Sequence, residues 1–533
     1  HRRCEDHIFT LKGVCAIRKS KKQKTFLAFM DISKAFDALD RDKMFIHLWN
    51  QGIQGKAWKL VRAMYERVDN KVIFGPYESD TYSVLNGVKQ GCVLSPCIFN
   101  LVITSLEAML DTGGVEIGSS VLKGLYYADD IILFSKSEQE LQGMLDIAET
   151  FAKYWNLSFN EKKSKVLVIG ERIKSRKWHI GSKEIVETAS YCYLGVMICK
   201  SLKDTVHINK HISDKAQRLE SYMRFTLSKH MDINRINFAD NMYRKAIYPS
   251  LAHAAGTWFT DCETNRKKLL TIQYKLAKAA LKIRCNPATT ATLAELGWLD
   301  INDAMDIKRI EYFHHLHQLD DHRRICRCCH ILMVPKVVLN ELYKVENPTS
   351  FKYISCIKDI LIRNGADFMF DNPKDMSIQI FKKLVSNRYL NDFMYDTQDK
   401  ASLRYYRLLK YDTGLSKYLT GSCSFRGAQL KFKIRTGALG IGEDIARQNR
   451  GSGLCKFCGV YESLMHMVFH CKAYNASRYK LYNDLNNLCD PDMFNVCLRD
   501  PFYLLMLMLG NHDTDFNMCF TNFITQVWNI RSE

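Results

Sequence analysis

Hydrophobic and polar positions follow one rhythm up to about residue 200 and another beyond it. The run Phe26-Leu27-Ala28-Phe29-Met30 is unbroken and apolar, as in a buried strand, and it ends on Asp31. Asp40 then predicts an N-cap, with Met44, Phe45, Leu48 and Trp49 as the apolar stripe of a helix that stops at Gly52. Lys71 to Val84 alternate like strands around a turn at Gly75-Pro76. Ser95-Pro96 predicts a helix start, with Ser95 as the cap, and Ile98 to Leu110 are apolar nearly all round, which predicts burial on every side. Tyr126-Tyr127 and Ile131-Ile132-Leu133-Phe134 flank Ala128-Asp129-Asp130, a pattern of two short strands joined by a tight turn. Ser137-x-x-Glu140 is a capping box, and Leu141, Met144, Leu145, Ala148, Phe151, Ala152 and Trp155 form one helical face. Strand and helix signals thus alternate through the first 200 residues, giving an α/β (α+β) class there.

From about Asp204 the period becomes helical. Ile208, Ile212, Ala216, Leu219, Met223 and Leu227 share a face, with Lys210, Lys215, Arg218 and Arg224 elsewhere. Ile272 to Ile283 and Ala304 to Leu319 continue the pattern on either side of a break at Pro287, and residues 340–445 read as mixed helical and basic. At the start, His7, Leu11 and Val14 line one face of an expected helix that runs into a basic stretch, Arg18 to Lys24, either a solvated face or a phosphate contact.

Composition narrows the partner. The chain has 533 residues, 47% hydrophobic and 11% aromatic, enough for three or four folded domains. A net charge of +19 calls for a polyanion, either nucleic acid or an anionic membrane. No apolar run approaches the ~18 residues of a membrane span, and the most apolar tract, Phe502 to Leu509, is far shorter. Nineteen scattered cysteines fit a reducing intracellular compartment with some metal-bound thiols. The first residue is His1, not Met, so a fragment is expected.

Two clusters carry candidate chemistry. Adjacent carboxylates at a hairpin tip repel one another, and an isolated Asp129-Asp130 pair reads as a polar turn. Asp31, at the end of its own strand, changes that reading. Three convergent carboxylates can hold two magnesium ions ~3.5–4 Å apart, the arrangement of in-line nucleotidyl transfer. Near the other end, Cys455-x2-Cys458-x7-His466-x4-Cys471 has the spacing of one tetrahedral zinc, with His470 competing for the place of His466. Lys456, Phe457, Tyr461, Lys472 and Tyr474 surround it with the mix of cations and rings that holds single strands. A further cluster, Cys326, Cys328, Cys329 and His330, has adjacent cysteines poorly spaced for one ion.

Five motifs in register carry a family resemblance: Asp31-x4-Phe36, Gln90-Gly91 before Ser95-Pro96, Tyr127-Ala128-Asp129-Asp130, Asn160-Glu161-Lys162-Lys163-Ser164 and Tyr193-Leu194-Gly195. In this order they resemble the palm of reverse transcriptases, most closely those of non-LTR (LINE-type) retrotransposons. The resemblance implies a right-hand polymerase: fingers (partial) and palm over residues 1–200, a helical thumb over 201–290, a basic helical connector over 291–450, and a zinc knuckle with tail over 451–533. It implies RNA-directed DNA synthesis, primed at a nicked target, with Asp31, Asp129 and Asp130 on two Mg2+ ions. Phe36 would lie beneath the incoming sugar and exclude a 2′-OH, although it also reads as plain core. Gln90 and Gly91 would support the nucleotide and template base. Lys163 is the candidate general acid for pyrophosphate, with Lys162 and Lys165 near enough to substitute and a surface lysine as the plain alternative. Tyr193, Leu194 and Gly195 would grip the primer. One structural Zn2+ is expected, because the same Cys and His pattern closes many LINE-type enzymes.

The implied partners are template RNA, primer or target DNA and dNTPs, with no membrane, in the nucleus and cytoplasm. By the resemblance, the start of the chain would fall just after the fingers hairpin that clamps the triphosphate, and that hairpin and an endonuclease are expected upstream. The rival readings are a catalytically inactive nucleic-acid-binding relic of such an element, and a domesticated maturase-like or telomere-type polymerase.

Overall fold

The computed structural model describes residues 3–118, 120–174, 176–229, 235–260, 262–319, 334–345, 351–421, 423–488, 490–510 and 515–532. The cluster Cys326 to His330 lies outside the described residues. The chain forms two units, each discontinuous in sequence. The first is residues 1–207, 256–259 and 312–358; the second is 208–255, 260–311 and 359–533.

A five-stranded antiparallel sheet organises the first unit around the strand Thr25–Ser33. On one side of it runs Asp130–Ser135, which continues through a hairpin to Gly124–Tyr127. On the other side two strands share its length. Lys165–Ile169 pairs with Thr25 to Phe29, and Ser158–Phe159 with Ile32 and Ser33. Side chains alternate between the sheet faces. Phe26, Ala28, Met30 and Ile32 therefore enter the main core with Ile131 and Leu133. The helices Ser95–Met109 and Glu138–Tyr154 supply Phe99, Val102, Leu106, Leu141, Leu145 and Phe151 to that core, and Trp155, which caps the second, joins them. Leu27, Phe29 and Asp31 occupy the opposite face by the same alternation. Ser137 caps the second helix, accepting from the Glu140 amide at 3.2 Å, and Asp40 caps Arg41–Asn50 through the Lys43 amide at 3.1 Å. The strands expected over Lys71 to Val84 fall within residues 69–83 as two exposed nested pairs, Asp69–Asn70 with Tyr82–Ser83 and Ile73–Phe74 with Tyr77–Glu78.

Four local expectations are corrected. Ser95 is not a cap but the first helical residue after Leu94, and its hydroxyl donates to the Lys89 carbonyl at 2.6 Å. That helix buries one face only, leaving Cys97 and Asn100 exposed. The helix Cys4–Ser20, expected to be one-sided, is buried all round from Asp6 to Arg18. Residues from far along the chain cover it: the helix Val334–Lys344 packs so closely that a Cβ on Gly13 would fall 2.3 Å from Val338. In the basic stretch that follows, Arg18 is neither solvated nor free, since it bonds the Thr25 hydroxyl at 3.0 Å and the Lys24 carbonyl at 2.7 Å.

The second unit is helical. Ser213–Lys229, Glu263–Leu281 and Ile378–Asp399 are its long early helices, and the expected stripe is buried at Ile208, Ile212, Ala216, Met223 and Leu227 and half-buried at Leu219. A later core joins Phe425–Arg435 to Asn475–Asn486, Pro501–Leu509 and Asp515–Ser532. Arg435 and Glu295 form a fully buried ion pair at 2.9 Å, and the guanidinium also donates to the Leu509 carbonyl and lies over the Tyr406 and Tyr418 rings. Such a pair is costly to desolvate and far costlier to break, so it fixes which helices meet. No helix among the described residues is long and apolar enough to cross a membrane.

Candidate active site

Register brings the carboxylates together. Asp31 is directly opposite Asp130 in the antiparallel ladder, so both side chains stand on one face of the sheet. Tyr127 pairs with Asp130 and leaves Ala128-Asp129 as a two-residue turn, with Ala128 at φ +51°. A positive φ at the first turn position alone is the type II′ geometry that suits a right-twisted hairpin, usually reserved for glycine. The Asp129 carbonyl accepts from the Ile32 amide at 3.3 Å, tying the tip to the central strand.

The gap between the two strands on the other side is the device that completes the cluster. Residues 160–164 bulge out opposite Met30 and Asp31. Asn160 donates its amide to the Asp31 carbonyl at 2.8 Å, and its side-chain oxygen accepts from the Lys162 and Lys163 amides at 3.1 and 3.3 Å. The loop so folded aims the Ser164 hydroxyl at the Asp31 amide, 3.3 Å away, and the Lys163 ammonium at the Asp31 carboxylate, 3.1 Å away.

Electrostatics follow from that crowding. The Asp130 carboxyl is pushed up to about 6, chiefly by burial and then by the charges of Asp129 and Asp31, with Lys163 pulling the other way. On the same face Tyr191 stacks on Phe29 at 4.3 Å, and burial, with the charges of Asp130 and Asp31, pushes its phenol up to about 12. Three hard oxygen ligands that repel one another are the donor set a divalent magnesium ion relieves, and these residues fit it.

Phe36, Gln90 and Gly91 come together at the neighbouring corner. Phe36 is half-buried against Phe99, ring centroids 5.1 Å apart, and its carbonyl accepts from the Val88 amide at 2.6 Å. Gln90 donates to Asp37 at 2.7 Å. Gly87 makes this possible: at φ +79°, a Cβ there would lie 2.3 Å from the Phe36 carbonyl oxygen. At Gly91, with φ +82°, the backbone conformation and not crowding within the chain demands glycine. The sequence reading passed over Gly87, Asp37, Tyr191 and the hydroxyl of Ser164. A glycine four residues before Gly91, and a serine closing the Asn160 loop, were the available signals.

Tyr193, Leu194 and Gly195 form a hairpin turn between Ser190–Tyr193 and Val196–Cys199. Leu194 and Gly195 both have positive φ, +45° and +79°, a type I′ geometry unusual for leucine. Tyr193 is buried, its ring 5.9 Å from Phe29, with its hydroxyl 3.4 Å from His7 Nδ1. At the tip of the other hairpin, Tyr127 accepts from the Cys4 thiol at 3.1 Å and meets the edge of the His7 ring.

In the second unit, Cys455, Cys458, His466 and Cys471 gather with ligand atoms all within 4.8 Å of one another. Cys455 and Cys471 sulfurs are 3.8 Å apart, and Cys458 and Cys471 3.6 Å. Zinc–sulfur bonds of about 2.3 Å in a tetrahedron require sulfurs about 3.8 Å apart, so the quartet fits one zinc. His466 Nε2 is buried with no hydrogen-bond partner, as a ligand nitrogen would be. The turn His466–His470 is of the wide π type, closed by the Cys471 amide on the His466 carbonyl at 2.8 Å. That extra residue per turn brings His466 and Cys471 to the same side.

Residues 2–198 match the reverse transcriptase (RNA-dependent DNA polymerase) family. Three relatives from Drosophila melanogaster are similar over longer or comparable stretches. The chain is 28% identical over 216 residues to the Pol polyprotein of the type-2 retrotransposable element R2DM, covering 38% of this chain and 20% of the relative. It is 23% identical to the RNA-directed DNA polymerase of the mobile element jockey, covering 46% and 27%. It is 25% identical to the probable RNA-directed DNA polymerase of the transposon X-element, covering 47% and 27%. The match thus spans only about a quarter of the length of these relatives.

Proposed function

We propose that this chain, whose residues 2–198 are a reverse transcriptase domain of the non-LTR retrotransposon type, copies RNA into DNA from a target primer. The observation that carries the reading is the register of Asp31 against Asp130, with Asp129 at the adjoining turn. Asp31, Asp129 and Asp130 would hold the two magnesium ions, whose chemistry when bound would be to lower the pKa of the primer hydroxyl and to offset the charge of the leaving pyrophosphate. Lys163 keeps its ammonium at the cluster and gives up its proton to that pyrophosphate. Phe36 turns one ring face to the sugar and leaves no room for a 2′-OH. Gln90, anchored on Asp37, and Gly91 support the base pair being formed. The turn at Tyr193, Leu194 and Gly195 holds the primer end.

In this reading residues 1–200 are palm and partial fingers, 201–290 a thumb, 291–450 a connector and 451–533 a zinc knuckle with its tail. The knuckle positions template RNA or target DNA and takes no part in chemistry. The polymerase works on nucleic acid in the nucleus and cytoplasm.

The test is primer extension by this chain on poly(rA)/oligo(dT) at saturating dTTP. Asp129→Asn removes one anionic ligand from a metal cluster worth several kcal/mol of charge stabilisation, so extension should fall by orders of magnitude while RNA binding persists. Near-normal extension by the variant would overturn the assignment.

A further inference from the structure

The second unit holds a cleft that the polymerase reading leaves unused. It has a volume of about 940 Å³ and lies between residues 284–288, 400–402 and 433–450. Arg284, Lys400, Lys433, Arg447 and Arg450 line it, and no carboxylate does. Two of these cations are engaged, Lys400 with Asp396 at 2.5 Å and Arg447 with Asp444 at 2.8 Å. Arg284, Lys433 and Arg450 have no acidic partner among the described residues. Lys433 is half-buried, and burial draws its ammonium below the ordinary lysine range.

We infer that this cleft is a second nucleic-acid site, one that holds the sugar-phosphate backbone of a strand. Three cations left without counter-charge in one concavity are complementary to a run of phosphates. The lining contains no aromatic ring, so bases have nothing to stack on, and the contact is blind to sequence. The wall is preformed. A Cβ on Gly437 would lie 2.3 Å from the Ser402 carbonyl oxygen, so backbone rests on backbone there, and Arg447 fastens the Gly437 carbonyl at 2.7 Å. The inference rests on the proposed function for the kind of polyanion.

The test uses the full chain with Arg284→Gln, Lys433→Gln and Arg450→Gln combined, and fluorescein-labelled 20-nucleotide RNA and DNA of one mixed sequence. Kd is measured by anisotropy across a salt series. Each phosphate contact to a single strand contributes about 0.7 to the slope of log K against log salt, so the triple variant should lose about 2 units of slope on RNA and DNA alike. Its Kd at 0.1 M salt should rise at least tenfold, while Arg284→Lys, Lys433→Arg and Arg450→Lys together should bind like the parent. An unchanged slope on a parent that binds well overturns the cleft. So does loss on one sugar only, or equal loss in the charge-retaining variant. A parent that binds neither strand would instead overturn the polymerase reading beneath it.

Discussion

The Lys163 ammonium stands 3.1 Å from the Asp31 carboxylate, a group that would also serve as a metal ligand. Its side chain is 65% exposed, so the pair adds little stability and the lysine can leave. Lys163→Ala should act in two directions. Removing a competing cation should lower the magnesium concentration for half-maximal extension severalfold. Losing a general acid should cut kcat by about 10²-fold. A lower magnesium requirement with unchanged kcat would leave Lys163 as a placeholder alone.

Asp130 predicts a pH-dependent trade of stability for function. Its carboxyl pKa is raised to about 6, so the folded chain binds a proton more tightly than the unfolded chain does. Stability is therefore fullest below the ordinary carboxylate pKa and is lost as pH rises through about 6. In chelator at pH 7.5, Asp130→Asn should raise the Tm of the first unit by about 2 °C, with no gain at pH 4. Magnesium should stabilise the parent and not the variant. A variant less stable than the parent at pH 7.5 contradicts this account.

Phe36 has one side in the core and one side free, so truncation should touch selectivity more than rate. Phe36→Ala should lower the preference for dCTP over CTP by about tenfold with a smaller loss of dCTP incorporation. An unchanged ratio in a destabilised protein would make Phe36 core alone.

For the second unit, metal analysis should find one zinc per chain. Cys458→Ser and His466→Ala should lose it, and His470→Ala, whose ring is outside the quartet, should keep it. Extension on a homopolymer should survive in all three, while binding of cognate template or target weakens in the first two. Zinc retained by His466→Ala would move the ligand to His470.

Gly87 and Gly91 separate two reasons for glycine. Gly87→Ala meets both a positive φ and a backbone oxygen, and should cost about 3 kcal/mol or more. Gly91→Ala meets only the φ and should cost about 1 kcal/mol. Chemical denaturation of the two variants measures the difference, and equal losses would refute it.

What could be read from sequence was whatever is local. Cys455, Cys458, His466 and Cys471 lie within a short stretch, so their spacing and the family resemblance named the residues that gather, with His470 left as a competitor. Asp31 at the end of one apolar strand and Asp130 at the start of another were legible, while their common face comes from the register of the two strands. Ser95 misled because serine before proline marks a cap in most helices, and here the hydroxyl was claimed by Lys89 instead. The Asn160 loop owes its place to two strands sharing one side of Thr25–Ser33, a pairing no local pattern announces. All-round burial of Cys4–Ser20 was equally hidden, because its cover comes from beyond residue 330.

That distant cover has a consequence during synthesis of the chain. Ribosomes release roughly 5–20 residues per second, N-terminus first. The sheet and its carboxylates are complete by residue 207, yet the first unit closes only with residues 312–358. For about 8–30 s the apolar back of Cys4–Ser20, with Ile8, Phe9, Leu11 and Val14, has no native cover and is open to chaperones or to other nascent chains. A truncation ending near residue 200 makes that exposure permanent. Such a piece should aggregate even with every active-site residue present, and joining residues 312–358 back to it should restore solubility.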